Sequence, residues 1–449
     1  MFKTIKKIHF VGIGGSGMSG IAEVLINLGY KVSGSDLKES EVTARLARLG
    51  ARIHYGHKES NVGDAQVVVT STAVRPENPE VRLARKNKIP VIPRIEMLAE
   101  LARLKYTIAV AGTHGKTTTT SMVAAIFQEA GWDPTFIIGG RVKHLESGAK
   151  LGSGEFLVAE ADESDGSFLK LSPAVGIITN IDNDHLDYYQ TTRRLKDAFI
   201  QFANRVPFYG MAIVCADDPG VMAVLPSFTR KVVTYGLKGR MDYTAADVRT
   251  GPAGVRYKLV RNGRAEGEVV LNLSGKHNIL NSLAAAACGL ELGVPFEKLA
   301  KALGDFESVG RRFEKRGEKN GAVWIDDYGH HPTEIRAVMQ ALRECYPDKT
   351  IVLAFQPHRY SRTKILMKDF GSCFAGADRV VLLPIYAAGE KPIPGVDSKK
   401  LIPAIRRSKV AVDHMNGSGY DLAQFVTPGH VFVTLGAGDV WKLGEKIFK

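Results

Sequence analysis

Nine consecutive residues constrain this chain more than any others: Gly112-Thr113-His114-Gly115-Lys116-Thr117-Thr118-Thr119-Thr120 follow the apolar run YTIAVA and lead straight into a helical pattern. Strand, glycine turn, Lys-Thr and helix together form a phosphate cradle. Backbone N–H groups face the phosphates, the lysine meets β/γ charge, and a hydroxyl meets Mg²⁺. The eight-residue form of this pattern begins with glycine where the chain has Val110, so the loop is a variant. It predicts that Gly112, Thr113, His114, Gly115, Lys116, Thr117 and Thr118 hold ATP.

A second glycine loop stands near the N-terminus. Gly12-Ile13-Gly14-Gly15-Ser16-Gly17 follows the strand-like IHFV, and Asp36 comes 19 residues after Gly17 at another strand end. That spacing is the dinucleotide-binding fingerprint. Physically it specifies a diphosphate on a helix N-terminus with a polar group beyond it, which a nucleotide-sugar diphosphate also satisfies. A third strand-and-turn segment opens with AVWIDDYGHHP near residue 322.

Strands alternating with helices predict doubly wound parallel sheets. At roughly 150 residues per domain, the chain should hold about three. The expected fold is α/β: a Rossmann-like domain over 1–104, a central P-loop domain over 105–308, and a Rossmann-like C-terminal domain over 309–449. Residues 242–273 alternate apolar and polar, with turn signals at Gly251-Pro252 and Asn262-Gly263. They predict a small antiparallel patch ending the central domain.

Two acidic stretches end strands of the central domain. Glu160-Ala161-Asp162-Glu163-Ser164-Asp165 and Asn180-Ile181-Asp182-Asn183-Asp184-His185 place oxygen and imidazole donors at the sheet edge that carries the P-loop. Such donors suit Mg²⁺, with Thr117, Glu160 and His185 as ligands.

Composition removes other classes. With 45% hydrophobic and 24% charged residues, the chain is an ordinary globular protein rather than a disordered one. No apolar run is long enough to span a bilayer, so no membrane partner is expected. The charged N-terminus dissolves into glycines and reads as a first strand, not a signal peptide. Cys215, Cys288, Cys345 and Cys373 form no C-x-x-C. Neither zinc nor a disulfide framework is indicated, and a cytoplasmic location is expected. The net charge of +13 favours anionic partners, but the basic residues are scattered, so small phosphorylated ligands rather than nucleic acid are expected.

The ordered set GTHGKTTTT, EADESDGSF, TNIDNDHLDYY, KHNILNSLAAA, GRRFE, DDYGHHPTEI and QPHRYSRT resembles the Mur ligases of peptidoglycan synthesis, most of all the members that add alanine. The resemblance runs from about residue 5 to 445. It implies ATP-dependent ligation of L-alanine to the lactyl carboxylate of UDP-N-acetylmuramate through an acyl phosphate, with Mg²⁺. It implies that Gly12, Gly14, Gly15, Ser16, Gly17, Asp36, Ser71 and Thr72 hold the UDP-sugar. His277, Asn278 and Asn281 would take the adenine, and Arg311 and Arg312 would stand at a hinge. Arg312 and Asp327 would also meet ATP. Tyr328, His330, Arg359 and Arg362 would take the amino acid, with Lys116 and His330 the catalytic pair and His330 the base for the amine. Arg359 and Arg362 are three residues apart, a spacing at which one helical turn aims both the same way. A monomer or weak dimer is expected.

Three rivals have distinct signatures. A nicotinamide-dependent oxidoreductase has no use for Lys116 and Thr117. A nucleic-acid-stimulated ATPase needs a basic stripe. A ligase of the same family that attaches a whole murein peptide would lack the QPHRYSRT arginine pair.

Overall fold

The computed structural model describes residues 5–71, 73–139, 148–415 and 421–449. Its strands form three sheets. The first has the order β3-β2-β1-β4-β5, with β1 Lys7–Val11, β2 Lys31–Asp36, β3 Arg52–Tyr55, β4 Val67–Thr70 and β5 Val91–Pro93. All its pairings are parallel, and the order reverses beside β1. Loops leaving strand C-termini on either side of such a reversal splay apart and open a crevice for ligand.

The second sheet runs β15-β14-β13-β12-β11-β10-β6-β9-β7-β8. Its strands are β6 Tyr106–Ala111, β7 Thr135–Ile137, β8 Ala149–Lys150, β9 Phe156–Glu160, β10 Val175–Ile178, β11 Met211–Cys215, β12 Val232–Tyr235, β13 Tyr243–Gly251, β14 Gly254–Arg261 and β15 Arg264–Leu271. From β12 through β11, β10, β6 and β9 to β7 the pairing is parallel. The expected antiparallel patch is β13–β15, whose two-residue connections can only join antiparallel neighbours. Asn262 and Gly263 both have positive φ (49° and 78°), as a type I′ turn requires.

The third sheet has the order β16-β17-β21-β18-β19-β20, with β16 Glu314–Lys319, β17 Ala322–Asp327, β18 Thr350–Phe355, β19 Arg379–Leu382, β20 Ala411–His414 and β21 His430–Leu435. It is parallel except at β16.

The chain packs as two compact units. One runs through Ala246 and adds Lys258–Val269 and Leu280–Phe306; the other comprises Asp247–Tyr257, Val270–Ile279 and Glu307–Lys449. The first sheet and strands β6–β12 of the second thus share a unit, and one apolar core joins Ile8 and Phe10 of β1 to Ala109 of β6 and Ala159 of β9. The third sheet has its own core around Ile325, Leu353 and Val433. All four cysteines are free and buried. Among the described residues no helix is long and apolar enough to cross a membrane.

Candidate active site

The first glycine loop leaves β1 at Val11, which pairs with Ser35 of β2. The Ser35 carbonyl accepts the N–H groups of Gly12 and Ile13 at 2.8 and 3.0 Å. The Asp36 carboxylate accepts Gly14 N–H at 2.8 Å. A Cβ on Gly14 would stand 2.8 Å from that same carboxylate oxygen, so a side chain there would have to displace the group on which the loop closes. The helix Ser16–Asn27 follows with Gly15 as its N-cap and no side-chain cap. Its orphan N–H groups therefore face the loop, where an anion can meet them. Arg94 lies against Gly17 and pairs with Asp162 at 2.8 Å. Ser71 follows β4, the strand beside β1 at the sheet's reversal. Thr72 lies outside the described residues.

The second loop leaves β6. Val110 belongs to that strand and pairs with Ile177 and Glu160, so the turn begins only at Gly112. That accounts for the missing Walker glycine. Gly112 has φ 132°, and a Cβ there would stand 2.0 Å from Thr179 Oγ1. The loop is clamped onto the segment after β10. His114 N–H donates to Asn180 Oδ1 at 2.8 Å, and Asn180 Nδ2 and Thr179 Oγ1 return bonds to the His114 carbonyl. His114 Nε2 lies 3.2 Å from Asp182 Oδ2.

The helix Lys116–Glu129 opens directly from this loop. Lys116 Nζ donates to the Gly112 carbonyl at 2.6 Å and lies 2.8 Å from Glu163 Oε2. Burial by itself would lower the ammonium's pKa; Glu163, then Asp162 and Glu160, outweigh it and raise the value. Glu163 is fully buried and also sits 3.6 Å from His185 Nε2. Glu160 accepts Gly139 N–H at 2.9 Å, and burial pushes its carboxyl above the ordinary range against bonds from Gly139 and Thr117. Thr118 is buried behind the loop, and Asn281 Oδ1 accepts Thr119 Oγ1–H at 3.2 Å. Glu163 thus meets both Lys116 and His185, while Glu160 acts on Lys116 and takes a bond from Thr117. Glu163 was visible in the sequence only as one acid among four.

The other unit holds a second set. Asn278 Nδ2 donates to the Ser274 carbonyl at 2.8 Å. The imidazole of His277 is brought down to about 4 by burial and by Arg312. Arg311 and Arg312 lie over the Tyr328 ring at 5.3 and 4.9 Å. Arg311 bonds Asp326 and the carbonyls of Gly436 and Gly438, which makes it a bracket for two strand ends. Asp327 accepts the N–H groups of Phe313 and Gly329, both at 2.7 Å, yet burial still holds its carboxyl up at about 6 against the pull of Arg312.

His330 Nδ1 lies 3.2 Å from the Tyr328 carbonyl and 3.4 Å from Glu334. With the proton on Nδ1, Nε2 is the basic nitrogen. Its ring centroid is 5.6 Å from that of His358, whose ring stacks on Tyr386. Burial, with Arg362 and Arg359, brings His358 to about 4. The expected shared helical turn of Arg359 and Arg362 is not what forms. Arg359 N–H is committed to the Tyr386 carbonyl, its φ is 68°, and the helix Tyr360–Ile365 starts after it. Arg362 is half-buried within 3.3 Å of His358, whereas Arg359 is exposed. His358, one residue before the quoted pair, joins them in the structure.

Among the residues expected to bear function, three in the described chain carry left-handed backbone without being glycine: His185 (φ 57°) in one unit, Arg311 (φ 63°) and Arg359 (φ 68°) in the other. Such conformations cost of order 1–3 kcal/mol each and persist only where surrounding contacts impose them.

Three domain models of one family match the chain in order: the Mur ligase family catalytic domain over residues 7–106, the Mur ligase middle domain over 110–289, and the Mur ligase glutamate ligase domain over 311–438. The chain is 52% identical over 449 residues to a UDP-N-acetylmuramate–L-alanine ligase of Desulfatibacillum aliphaticivorans, covering 99% of this chain and 98% of that one. A protein of the same name from Geobacter sulfurreducens is 52% identical over 450 residues, covering 99% and 97%. The crystal structure of the UDP-N-acetylmuramate-alanine ligase of Thermotoga maritima matches with a TM-score of 0.82 at 32% identity, covering 98% of each chain. The three-domain α/β architecture is thus the one expected, and the chain belongs to the Mur ligase family.

Proposed function

We propose that this chain joins L-alanine to the lactyl carboxylate of UDP-N-acetylmuramate at the expense of ATP, an amide-forming step of peptidoglycan precursor synthesis. The observation that carries this reading is the pairing, within one unit, of a glycine loop without its own cation and one built around Lys116, in a chain 52% identical along its length to alanine ligases. The first loop takes the UDP diphosphate on the N-terminus of Ser16–Asn27, with Asp36 and Ser71 beside it. The second takes the phosphates of ATP.

The lactyl carboxylate attacks the γ-phosphate to give an acyl phosphate and ADP. The amine of alanine then attacks the acyl carbon, and phosphate leaves from the tetrahedral intermediate. Lys116, already aimed by Glu163 and the Gly112 carbonyl, places a fixed positive charge where phosphoryl charge develops, without reorganisation during the reaction. Thr117 and Glu160, bonded to each other, and His185, beside Glu163, supply the hydroxyl, carboxylate and imidazole donors that would hold Mg²⁺, and the raised Glu160 carboxyl is one that a cation would stabilise. Mg²⁺ bound there would offset the repulsion between the ATP phosphates and the incoming carboxylate. His330 takes the proton of the amine through Nε2, and Arg362 and Arg359 meet the alanine carboxylate.

A phosphate-release assay with UDP-N-acetylmuramate, ATP, Mg²⁺ and a panel of amino acids tests the reading. Release that requires both the UDP-sugar and L-alanine is expected. Release indifferent to the UDP-sugar would overturn it.

A further inference from the structure

A buried polar cluster lies behind the first glycine loop, and the phosphate chemistry does not use it. Along β1, Ile8 and Phe10 pack with Met18 and Ile21 of the helix Ser16–Asn27, whereas Val11 packs on the other face with Val62 and Val81. His9 alternates onto that second face, where it meets Glu80 of the helix Pro79–Lys86.

The Glu80 side chain is fully buried. Its Oε2 accepts Ser35 Oγ–H at 2.6 Å and lies 3.6 Å from His9 Nε2 and 3.5 Å from His57 Nδ1. Its Oε1 accepts Asn61 Nδ2–H at 2.6 Å and Lys58 N–H at 3.3 Å. One carboxylate thus ties together β1, β2, the turn after β3 and its own helix. Burial alone would raise its pKa; His9, Ser35 and Asn61 reverse that and hold it at about 2.

Ser35 connects this cluster to the ligand loop. Its hydroxyl goes to Glu80, while its carbonyl takes the N–H groups of Gly12 and Ile13. The next residue, Asp36, takes Gly14 N–H. Any shift of Ser35 is therefore a shift of the loop.

We propose that Glu80 is a positioning residue for the UDP-sugar: by fixing Ser35 and the 56–58 turn from behind, it sets the shape of the glycine loop that receives the diphosphate. The inference rests on the reading that this loop binds UDP-N-acetylmuramate. Replacing Glu80 with glutamine puts an NH₂ group where donors already point.

Glu80→Gln should raise the KM for UDP-N-acetylmuramate about tenfold, the lower end of what a lost supporting contact costs at a site. The KM for ATP and kcat at saturating UDP-sugar should stay within about twofold on the same scale. Ser35→Ala removes one donor and keeps the fold; it should move the same constant in the same direction by less. Val81→Ala, a buried apolar neighbour on the same helix, should lower Tm and leave the UDP-sugar KM unchanged. A wild-type KM in both Glu80→Gln and Ser35→Ala would overturn the proposal, as would a rise in all Michaelis constants together or an equal rise in Val81→Ala. Calorimetric titration of the wild type with UDP-N-acetylmuramate separates the two levels. Absence of binding there would overturn the site reading and this inference with it.

Discussion

Residues 12–17 and 112–117 each follow a buried parallel strand and open a helix, whose first-turn N–H groups lack intrahelical acceptors and suit an anion. Their neighbourhoods differ. The first loop bonds one acid, Asp36, through Gly14, and it is shaped from behind by Ser35 and Glu80. The second has Lys116 in its own helix and three carboxylates, Glu163, Asp162 and Glu160, acting on that lysine. Because the turn is common to both, the turn cannot be what separates binding from phosphoryl transfer. The charges come from the ends of neighbouring strands: β9 and the segment after it supply the acids, and the segment after β10 supplies His185. The backbone makes the cradle, and adjacent strand ends decide what happens in it.

Lys116→Ala tests that contrast with the largest expected effect. Removing one preorganised charge should slow acyl phosphate formation by about 10²–10³ while UDP-sugar affinity holds. Single-turnover formation at near-normal rate would break the comparison, since the second loop would then be only another cradle. Gly14→Val comes next. Its Cβ would meet Asp36 at 2.8 Å, and overpacking of this kind costs roughly 1–3 kcal/mol. The UDP-sugar KM should rise about tenfold or more while ATP binding survives; equal loss of both ligands would point to misfolding.

His185→Ala should raise the Mg²⁺ concentration needed for half-maximal rate by about tenfold, as loss of a metal-site group does. A Mg²⁺ titration overlaying the wild type would make His185 structural and leave the charge of the second loop to Lys116 and its acids. The smallest effect concerns acid. Glu80 is held at about 2, against about 4.3 in an unfolded chain, so it stabilises the fold above that higher value. Its contribution fades as pH falls through about 4 toward 2. Tm measured over that range should fall more steeply for the wild type than for Glu80→Gln. Parallel curves would mean that the first loop is not supported electrostatically from behind.

The sequence revealed what depends on near neighbours in the chain. Both glycine loops, the strand-end acids and the Asn262-Gly263 turn follow from residues next to one another. Which acid captures Lys116 does not. Glu160 and Glu163 have the same chemistry in one short stretch, and only the course of the chain after β9 turns Glu163 inward. Glu80 was hidden for a similar reason. It stands among Arg82, Arg85 and Lys86 on a short helix that reads as solvated, and its donors come from β2 and from residues 58 and 61. The aim of Arg359 depended on a bond to Tyr386, 27 positions further along, which no local spacing encodes.

The left-handed backbone at His185, Arg311 and Arg359 bears on how this protein can be made sturdier. Glycine occupies such φ values without steric cost, so substitution there relieves the folded backbone even though it frees the unfolded chain. A screen scored only on thermal survival is therefore liable to accept glycine at His185 and Arg359, whereas at Arg311 the lost bonds to buried Asp326, Gly436 and Gly438 outweigh the relief. It would discard an imidazole beside Glu163 and a guanidinium next to His358. Ruggedness and turnover pull in opposite directions at these positions, and engineering for heat tolerance should leave them as they are.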